Sequence, residues 1–231
     1  MSAVANAGDG APARFDFVYL ASQSQRRRDL LDQIGVRHEP LLAHADEDVE
    51  ALEAERAGES PSEYVERVTR AKLAAACERL RIRCLAPAPI VCADTTVALR
   101  RRILGKPRDH AEAAETLRLL SGRTHRVITA VAVGLGASEW FAVSRSSVRF
   151  GVIESQDIAR YVASGEPFGK AGAYAIQSGI AAWIGHIEGS HSGIMGLPLY
   201  ETARLLRHAG VGFQGTPRTR TAACPAGGTT V

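Results

Sequence analysis

A hydroxyl-rich turn followed by three arginines stands at the start of a predicted helix, in the stretch LASQSQRRRDLL at residues 20–31. The N-terminus of a helix is the positive end of its dipole, so cations are unfavourable there unless an anion joins them. Backbone N–H groups, the Ser22 hydroxyl and the guanidinium groups of Arg26 and Arg27 could together bind a phosphate. The alternative is a solvated basic turn, and the spacing alone favours neither. The chain contains no GxxxxGK[ST] sequence, so this is not a Walker A loop.

A single carboxylate interrupts the most strand-like run of the chain, PIVCADTTVAL at residues 89–99. Inside a buried strand, Asp94 would lose several kcal/mol of hydration unless a cation or a metal ion compensated it. Acidic residues at the strand ends of α/β proteins commonly face a ligand crevice, so Asp94 is a candidate functional residue. In the alternative, the strand ends at Ala93 and Asp94 lies in a turn.

Two lysines and a glutamine are further candidates. Lys72 falls on the apolar stripe of its predicted helix, together with Val65 and Val68. Such a lysine either extends its ammonium group to the surface, which is the more common case, or directs it into a cleft. Lys106 precedes a proline in a loop, and taken alone it is a basic loop residue. Gln177 lies in GKAGAYAIQSG, where small residues let backbone approach a ligand and the amide could bind the edge of a base.

The elements that must position these residues alternate between strands and helices. Strands are predicted for FDFVYLA, PIVCADTTVAL, HRVITAVAVGL, EWFAVSRSSVRF and AWIGHIEG. Helices are predicted for RRRDLLDQIG, for a segment that begins with a capping box at Ser60 and for a segment capped by Asp109. Two more are predicted to begin at Ser155 and at Pro198. The adjacent strands around residues 125–150 predict a mixed α/β sheet flanked by helices.

Composition limits the class of protein. With 231 residues, 45% of them hydrophobic, the chain can bury a proper core. A net charge of +3 is too small to indicate nucleic-acid binding, and no apolar run approaches the ~20 residues of a membrane span. The N-terminal residues lack the features of a secretory signal, and the four cysteines lack metal-ligand spacing, so a cytoplasmic protein with reduced thiols is expected. One domain is predicted over residues 15–212, between disordered tails at 1–14 and 213–231.

Taken together and in this order, these stretches resemble the Maf family of nucleoside-triphosphate pyrophosphatases. The similarity runs from about residue 17 to residue 211 and includes LASQSQRRRDLL, RAK, ADTTV, LGKPRDHAEAAETLRLLSGRTHRVITAVAV, EPFGKAGAYAIQ and IEGSHSGIMGLPLYET. The resemblance implies a mixed twisted sheet of the ITPase-like kind with a central substrate cleft. It also implies a cytoplasmic location, a Mg2+ or Mn2+ ion, and hydrolysis of a nucleoside triphosphate to the monophosphate and diphosphate. The EPFGKAGAYAIQ segment is similar to the branch that acts on dTTP and UTP.

The resemblance also implies roles for individual residues. Asp94 is expected to be the catalytic base or a metal-linked carboxylate, and Glu47, with Asp46 as the alternative register, is expected to be a metal partner. Arg26, Thr95 and Gln177 fall where that branch sets substrate choice. Ser22, Arg27, Lys72 and Lys106 fall on its phosphate-binding positions. A homodimer and a role in the arrest of septum formation are further implications.

The sequence departs from the family pattern at four positions. Gln25 replaces a proline, Arg101 a turn glycine, Gly169 an aspartate and Ser178 a glycine. The missing carboxylate at Gly169 bears most directly on metal binding and substrate choice. Two alternatives therefore stay open: a pyrophosphatase acting on 7-methyl-GTP or a modified pyrimidine nucleotide, and a non-catalytic nucleotide-binding regulator of septum formation. The presence of Asp94 with both lysines argues against the regulator.

Overall fold

The structure is a computed structural model that describes residues 14–44, 47–48 and 50–213. Asp46 and Cys224, and nearly all of the two predicted tails, lie outside the described residues. The first described residues of the chain contact residues that lie close to the last described ones. The backbone N–H of Arg14 donates to the carbonyl of Gly210 at 2.8 Å, and Phe15 forms a parallel bridge with Val211.

A mixed sheet of seven strands forms the centre of the fold. The strands are β1 (Val18–Leu20), β2 (His38–Pro40), β3 (Ile90–Leu99), β4 (Arg102–Leu104), β5 (Thr124–Leu135), β6 (Ser138–Phe150) and β7 (Ile184–Glu188). They are ordered β2-β1-β3-β5-β6-β7, and β4 pairs with β3 beside this path. The β1 strand is parallel to β2 and β3, whereas the other pairs are antiparallel. The predicted mixed α/β class is confirmed.

Within the described ranges, six helices flank this sheet. They are α1 (Gln25–Gln33), α2 (Pro61–Ile82), α3 (His110–Leu120), α4 (Ser155–Ala163), α5 (His191–Met195) and α6 (Leu199–His208), with 3-10 turns at Glu50–Glu53, Ala171–Ala173 and Gly179–Trp183. The capping box at Ser60 forms as predicted, because its side chain and that of Glu63 each accept from the other residue's backbone N–H. Asp109 caps α3 by accepting from the N–H of Glu112 at 2.8 Å. Across the described ranges, no helix combines the length and apolarity of a bilayer-crossing segment.

Helices cover both faces of β3, which explains its nearly continuous burial. Ile90 and Cys92 belong to a buried cluster with Leu73 of α2. Val91 and Ala93, which point to the opposite face, belong to a cluster with residues of α1 and α6. This alternation directs the next two side chains of the strand, those of residues 94 and 95, toward α2 and toward α1 respectively.

Candidate active site

A cleft of about 1200 Å³ opens beside β3, which is ample for a ligand of nucleotide size. The side chains that line it come from the start of α1, the 3-10 turn before α2, α2 itself, β3 and the loops after β4 and α4. All nine residues singled out by the sequence line this cleft: Ser22, Arg26, Arg27, Glu47, Lys72, Asp94, Thr95, Lys106 and Gln177. The fold therefore brings together residues that are up to 155 positions apart in the chain.

Asp94 and Lys72 form an ion pair in this cleft. Asp94 is the fifth residue of β3 and only 8% exposed, so the alternative that places it in a turn after Ala93 is wrong. The ammonium group of Lys72 lies 2.6 Å from Asp94 Oδ1, so this lysine points into the cleft and not to the surface. The pair compensates the hydration that each charge loses on partial burial.

Glu53 is a site residue that the sequence analysis missed. Its Oε1 lies 2.7 Å from the ammonium group of Lys72, and its Oε2 lies 2.7 Å from that of Lys106. Burial raises the pKa of the Glu53 carboxyl, but the two ammonium groups outweigh this effect and hold the pKa below its ordinary value. Glu53 thus faces Asp94 across a shared lysine.

The backbone around Glu53 is fixed by side chains of α2. The Tyr64 hydroxyl donates to the Glu53 carbonyl at 2.9 Å. Arg67 donates to the carbonyls on both sides, those of Leu52 at 3.2 Å and Ala54 at 2.9 Å. The sequence EALEAE offers several equivalent carboxylates without helical or strand periodicity, so local pattern could not single out this one. Its position depends on α2 and is visible only in the tertiary structure.

Glu47 lies in the same cleft but is held by a different partner. Both of its carboxylate oxygens accept hydrogen bonds from Arg79, which also donates to the carbonyl of Leu41 at 2.9 Å. The hydrogen bonds from Arg79, with one from the N–H of His44, lower the pKa of Glu47 to about 2. Glu47 therefore pairs with Arg79, whereas Glu53 lies opposite Asp94 across Lys72. The expectation that Glu47 is a metal partner stays a prediction.

Two of the three arginines at the start of α1 line the cleft. The Arg27 guanidinium donates to the carbonyl of Gly196 at 2.8 Å and to the Ser22 hydroxyl at 3.1 Å, and Arg26 donates to the carbonyl of Met195 at 3.1 Å. Burial lowers the pKa of both arginines, although an arginine still keeps its charge at neutral pH. Arg28 points away and pairs with the side chain of Gln25.

The N-terminus of α1 offers further donors at the same place. Its N-cap residue is Ser24, whose side chain makes no capping hydrogen bond within the described structure. The first turn of the helix also contains no acidic residue. A helix N-terminus beside two partly buried guanidinium groups is an arrangement that suits a phosphate-bearing ligand.

Thr95 and Gln177 lie on other walls of the cleft. The Thr95 hydroxyl is 3.0 Å from that of Thr129, which donates to the carbonyl of Gly193 at 2.7 Å. Gln177 is exposed, so its amide is free to turn toward a ligand. Gly169 has a φ of +71°, and an added Cβ would meet nothing within 4 Å. The loop therefore suits glycine and leaves open space where the family pattern has a carboxylate.

The donor set is compatible with a magnesium or manganese ion. Among the residues the structure describes, no group of three or more His, Cys, Asp and Glu side chains could hold a metal. However, Asp94 and Glu53 each present an oxygen to the same point, the ammonium group of Lys72. Mg2+ is commonly bound by one or two carboxylates together with substrate phosphates and water, so two converging carboxylates beside a phosphate site fit this ion.

Comparison with known proteins relates this chain to one family over most of its length. The family model described as Maf-like protein matches residues 17–209. A dTTP/UTP pyrophosphatase of Polaromonas sp. (strain JS666) is 62% identical over 196 residues, which cover 85% of this chain and 97% of that protein. The dTTP/UTP pyrophosphatases of Albidiferax ferrireducens and Burkholderia pseudomallei (strain 1710b) are 56% and 58% identical, over 84% and 88% of this chain and 98% of each relative. The similarity thus spans the whole cleft.

Proposed function

Because this chain belongs to the Maf family, we propose that it hydrolyses dTTP and UTP to the nucleoside monophosphate and diphosphate. The relatives that carry this activity in their names match it over nearly their full length. The observation that carries the proposal is the arrangement of Asp94 and Glu53 around the ammonium groups of Lys72 and Lys106. A carboxylate pair flanked by cations suits the hydrolysis of a phosphoanhydride, which needs charge neutralisation and a positioned water.

The cationic residues bind and neutralise the triphosphate. Arg26, Arg27 and the N-terminus of α1 form one side of the phosphate site, and Lys72 and Lys106 form the other. Without substrate, Glu53 shares its negative charge between the two lysines. Phosphate oxygens can bind to the remaining hydrogen-bonding directions of each ammonium group, because an ammonium carries three donors.

Asp94 orients and deprotonates the attacking water. Lys72 holds Oδ1 of this carboxylate, while Oδ2 makes no hydrogen bond to any described residue and can accept the proton of a water. The water attacks the α-phosphorus, the bond from that phosphorus to the bridging oxygen breaks, and diphosphate leaves. Asp94 is only 8% exposed, so its carboxylate has little room to turn and keeps one orientation.

We also propose that Asp94 and Glu53 hold a Mg2+ or Mn2+ ion. When bound, the ion would supply positive charge at the phosphates. Titration of the protein with Mn2+, followed by electron paramagnetic resonance, tests this without relying on turnover. Weaker Mn2+ binding in both Asp94→Asn and Glu53→Gln supports the site, and unchanged binding in both contradicts it.

The proposed activity is tested by measuring diphosphate release from dTTP, UTP, CTP, ATP, GTP, 7-methyl-GTP and modified uridine triphosphates. Selective turnover of dTTP and UTP, reduced by a factor of about 10² to 10⁴ in Asp94→Asn, is the expected result. Preferred turnover of 7-methyl-GTP would contradict the proposal and show that the protein is a 7-methyl-GTP pyrophosphatase. Nucleotide binding without turnover of any substrate would support the regulator of septum formation.

We propose a cytoplasmic location, because the nucleotide pools on which such an enzyme acts are there. A role in removing unwanted nucleotides from these pools follows from the proposed reaction. The homodimer, the role in septum formation and the disordered tails stay predictions.

A further inference from the structure

The tip of the β3–β4 hairpin carries three consecutive arginines, Arg100 to Arg102, in a turn whose chemistry does not favour them. Leu99 pairs with Arg102, so Arg100 and Arg101 form a two-residue loop. Arg100 has a φ of +57°, in the left-handed region where Gly, Asn and Asp are preferred at such hairpins. Unfavourable backbone conformations persist most often where a side chain has a function.

Two further arginines extend this surface. Arg123 precedes β5, and Arg126 donates to the carbonyl of Arg100 at 2.5 Å. We call the five residues at 100, 101, 102, 123 and 126 the basic hairpin surface. None of the five guanidinium groups forms an ion pair with a carboxylate in the part of the chain that the structure describes. Residues 97–126 contain eight Lys and Arg but only three Asp and Glu, so positive charge is concentrated here.

The basic hairpin surface also borders two partly buried leucines and one exposed valine. A depression of about 750 Å³ is lined by Leu99 and Leu119 together with the arginines at positions 100, 101, 102 and 123. Nearby, Val152 is 71% exposed, and its neighbour Gly151 accepts a hydrogen bond from Gly122 at 2.9 Å. The lining of the depression therefore combines two leucines with four arginines.

This surface is separate from the active-site cleft. Arg100 lies six positions after Asp94 and directly follows extended β3, which corresponds to a separation of about 20 Å. A small anion would gain little from guanidinium groups that extend into solvent, because isolated surface ion pairs contribute only about 0–1 kcal/mol. A polyanion, in contrast, can engage several of them together.

We propose that the basic hairpin surface binds an acidic, leucine-containing segment of a partner protein. Arginine suits this role because its planar guanidinium group binds carboxylates through two hydrogen bonds and is enriched in protein interfaces. Leu99 and Leu119 pack partly against the core, and the apolar surface that they leave in the depression can contact leucine side chains between the acidic residues. Among the lining residues of the depression there is no aromatic side chain on which a nucleic-acid base could stack, which disfavours a single strand.

The test is a binding titration with a fluorescent peptide rich in Asp and Glu with interspersed leucines. Two comparison ligands are titrated in the same way: the same peptide with serine in place of leucine, and a labelled oligo-dT. The hairpin variant combines Arg100→Gly, Arg101→Gln and Arg102→Gln. The charge-matched control combines Arg37→Gln, Arg81→Gln and Arg160→Gln, which removes three exposed arginines from other surfaces.

We expect the hairpin variant to bind the leucine-containing peptide at least about tenfold more weakly than the control variant does. The serine peptide should also bind the wild-type chain more weakly. Equal binding by the two variants overturns the proposal, as does equal affinity for the two peptides. If the wild-type chain binds oligo-dT more tightly than the leucine-containing peptide, the proposal is wrong and the surface binds a nucleic acid instead. Diphosphate release, measured in parallel on the hairpin variant, should match the wild-type rate, so this result is independent of the proposed activity.

Discussion

Replacing Glu47 by glutamine distinguishes a carboxylate that stabilises the fold from one that serves the reaction. Glu47 binds Arg79, which is 6% exposed, and this pairing lowers the pKa of Glu47 from 4.5 to about 2. At about 1.4 kcal/mol per pKa unit, the shift corresponds to roughly 3.5 kcal/mol. The Glu47 side chain is 31% exposed, so we reduce this by about half for solvent screening and expect Glu47→Gln to lower the free energy of unfolding by about 2 kcal/mol.

The loss should depend on pH in a defined direction. The folded-state pKa of Glu47 lies below the unfolded value, so its contribution is complete above about pH 5 and is lost as the pH falls from 4.5 toward 2. Urea unfolding, followed by the fluorescence of Trp140 and Trp183, should show the full difference at pH 7. At about pH 3 the difference between wild type and Glu47→Gln should be much smaller.

The control for this experiment is Glu78→Gln. Glu78 pairs with Arg81 on the exposed side of α2, so its replacement removes the same charge with little effect on stability. Both variants should retain diphosphate release close to the wild-type rate. If Glu47→Gln unfolds like the wild type but loses turnover and Mn2+ binding, then Glu47 serves the metal site and our assignment of Glu53 is wrong.

Three further substitutions test other parts of the structure. Glu53→Gln should reduce the rate of diphosphate release by roughly 10- to 100-fold, because Lys72 and Lys106 lose their shared anion and the proposed metal loses a ligand. A wild-type rate in this variant would exclude Glu53 from the site. Arg100→Gly should raise the free energy of unfolding by about 1 kcal/mol, because glycine adopts the φ of +57° without the cost that arginine incurs. A variant less stable than the wild type would contradict this prediction. Tyr174→Phe should lower the free energy of unfolding, measured by thermal denaturation, by about 1–3 kcal/mol, because the buried Nε2 of His125 loses a hydrogen-bond partner at 2.8 Å. An unchanged melting temperature would contradict this.

The predictions from sequence succeeded where local chemistry determines the structure. The capping box at Ser60, the cap at Asp109 and the positive φ of Gly35 mark element ends through contacts within a few residues. The β3 and β5 strands are long apolar runs whose type is clear without knowledge of their partners. Asp94 and Lys72 were recognisable because each places a charge among apolar neighbours.

The elements that were not predicted depend on distant parts of the chain. The β2 strand has the sequence His-Glu-Pro, with no apolar alternation, and exists because β1 presents an edge for pairing. The β4 strand is equally short and pairs with β3. Helix α5 has five residues and an internal glycine, and Ser190 caps it by accepting from Gly193. Glu53 belongs with these elements, because nothing in its own segment distinguishes it from its neighbours.

The contacts of Arg26 and Arg27 have a consequence for folding. Their guanidinium groups bind carbonyls 169 residues later in the chain, at Met195 and Gly196. Closing so long a loop has a large entropic cost, and contacts of such high sequence separation slow folding. A ribosome must therefore release almost the whole globular part before these arginines reach their positions. An incomplete chain would carry the basic sequence but not the two carbonyls that orient its guanidinium groups, so this wall of the cleft forms only after residues 195 and 196 have joined the fold.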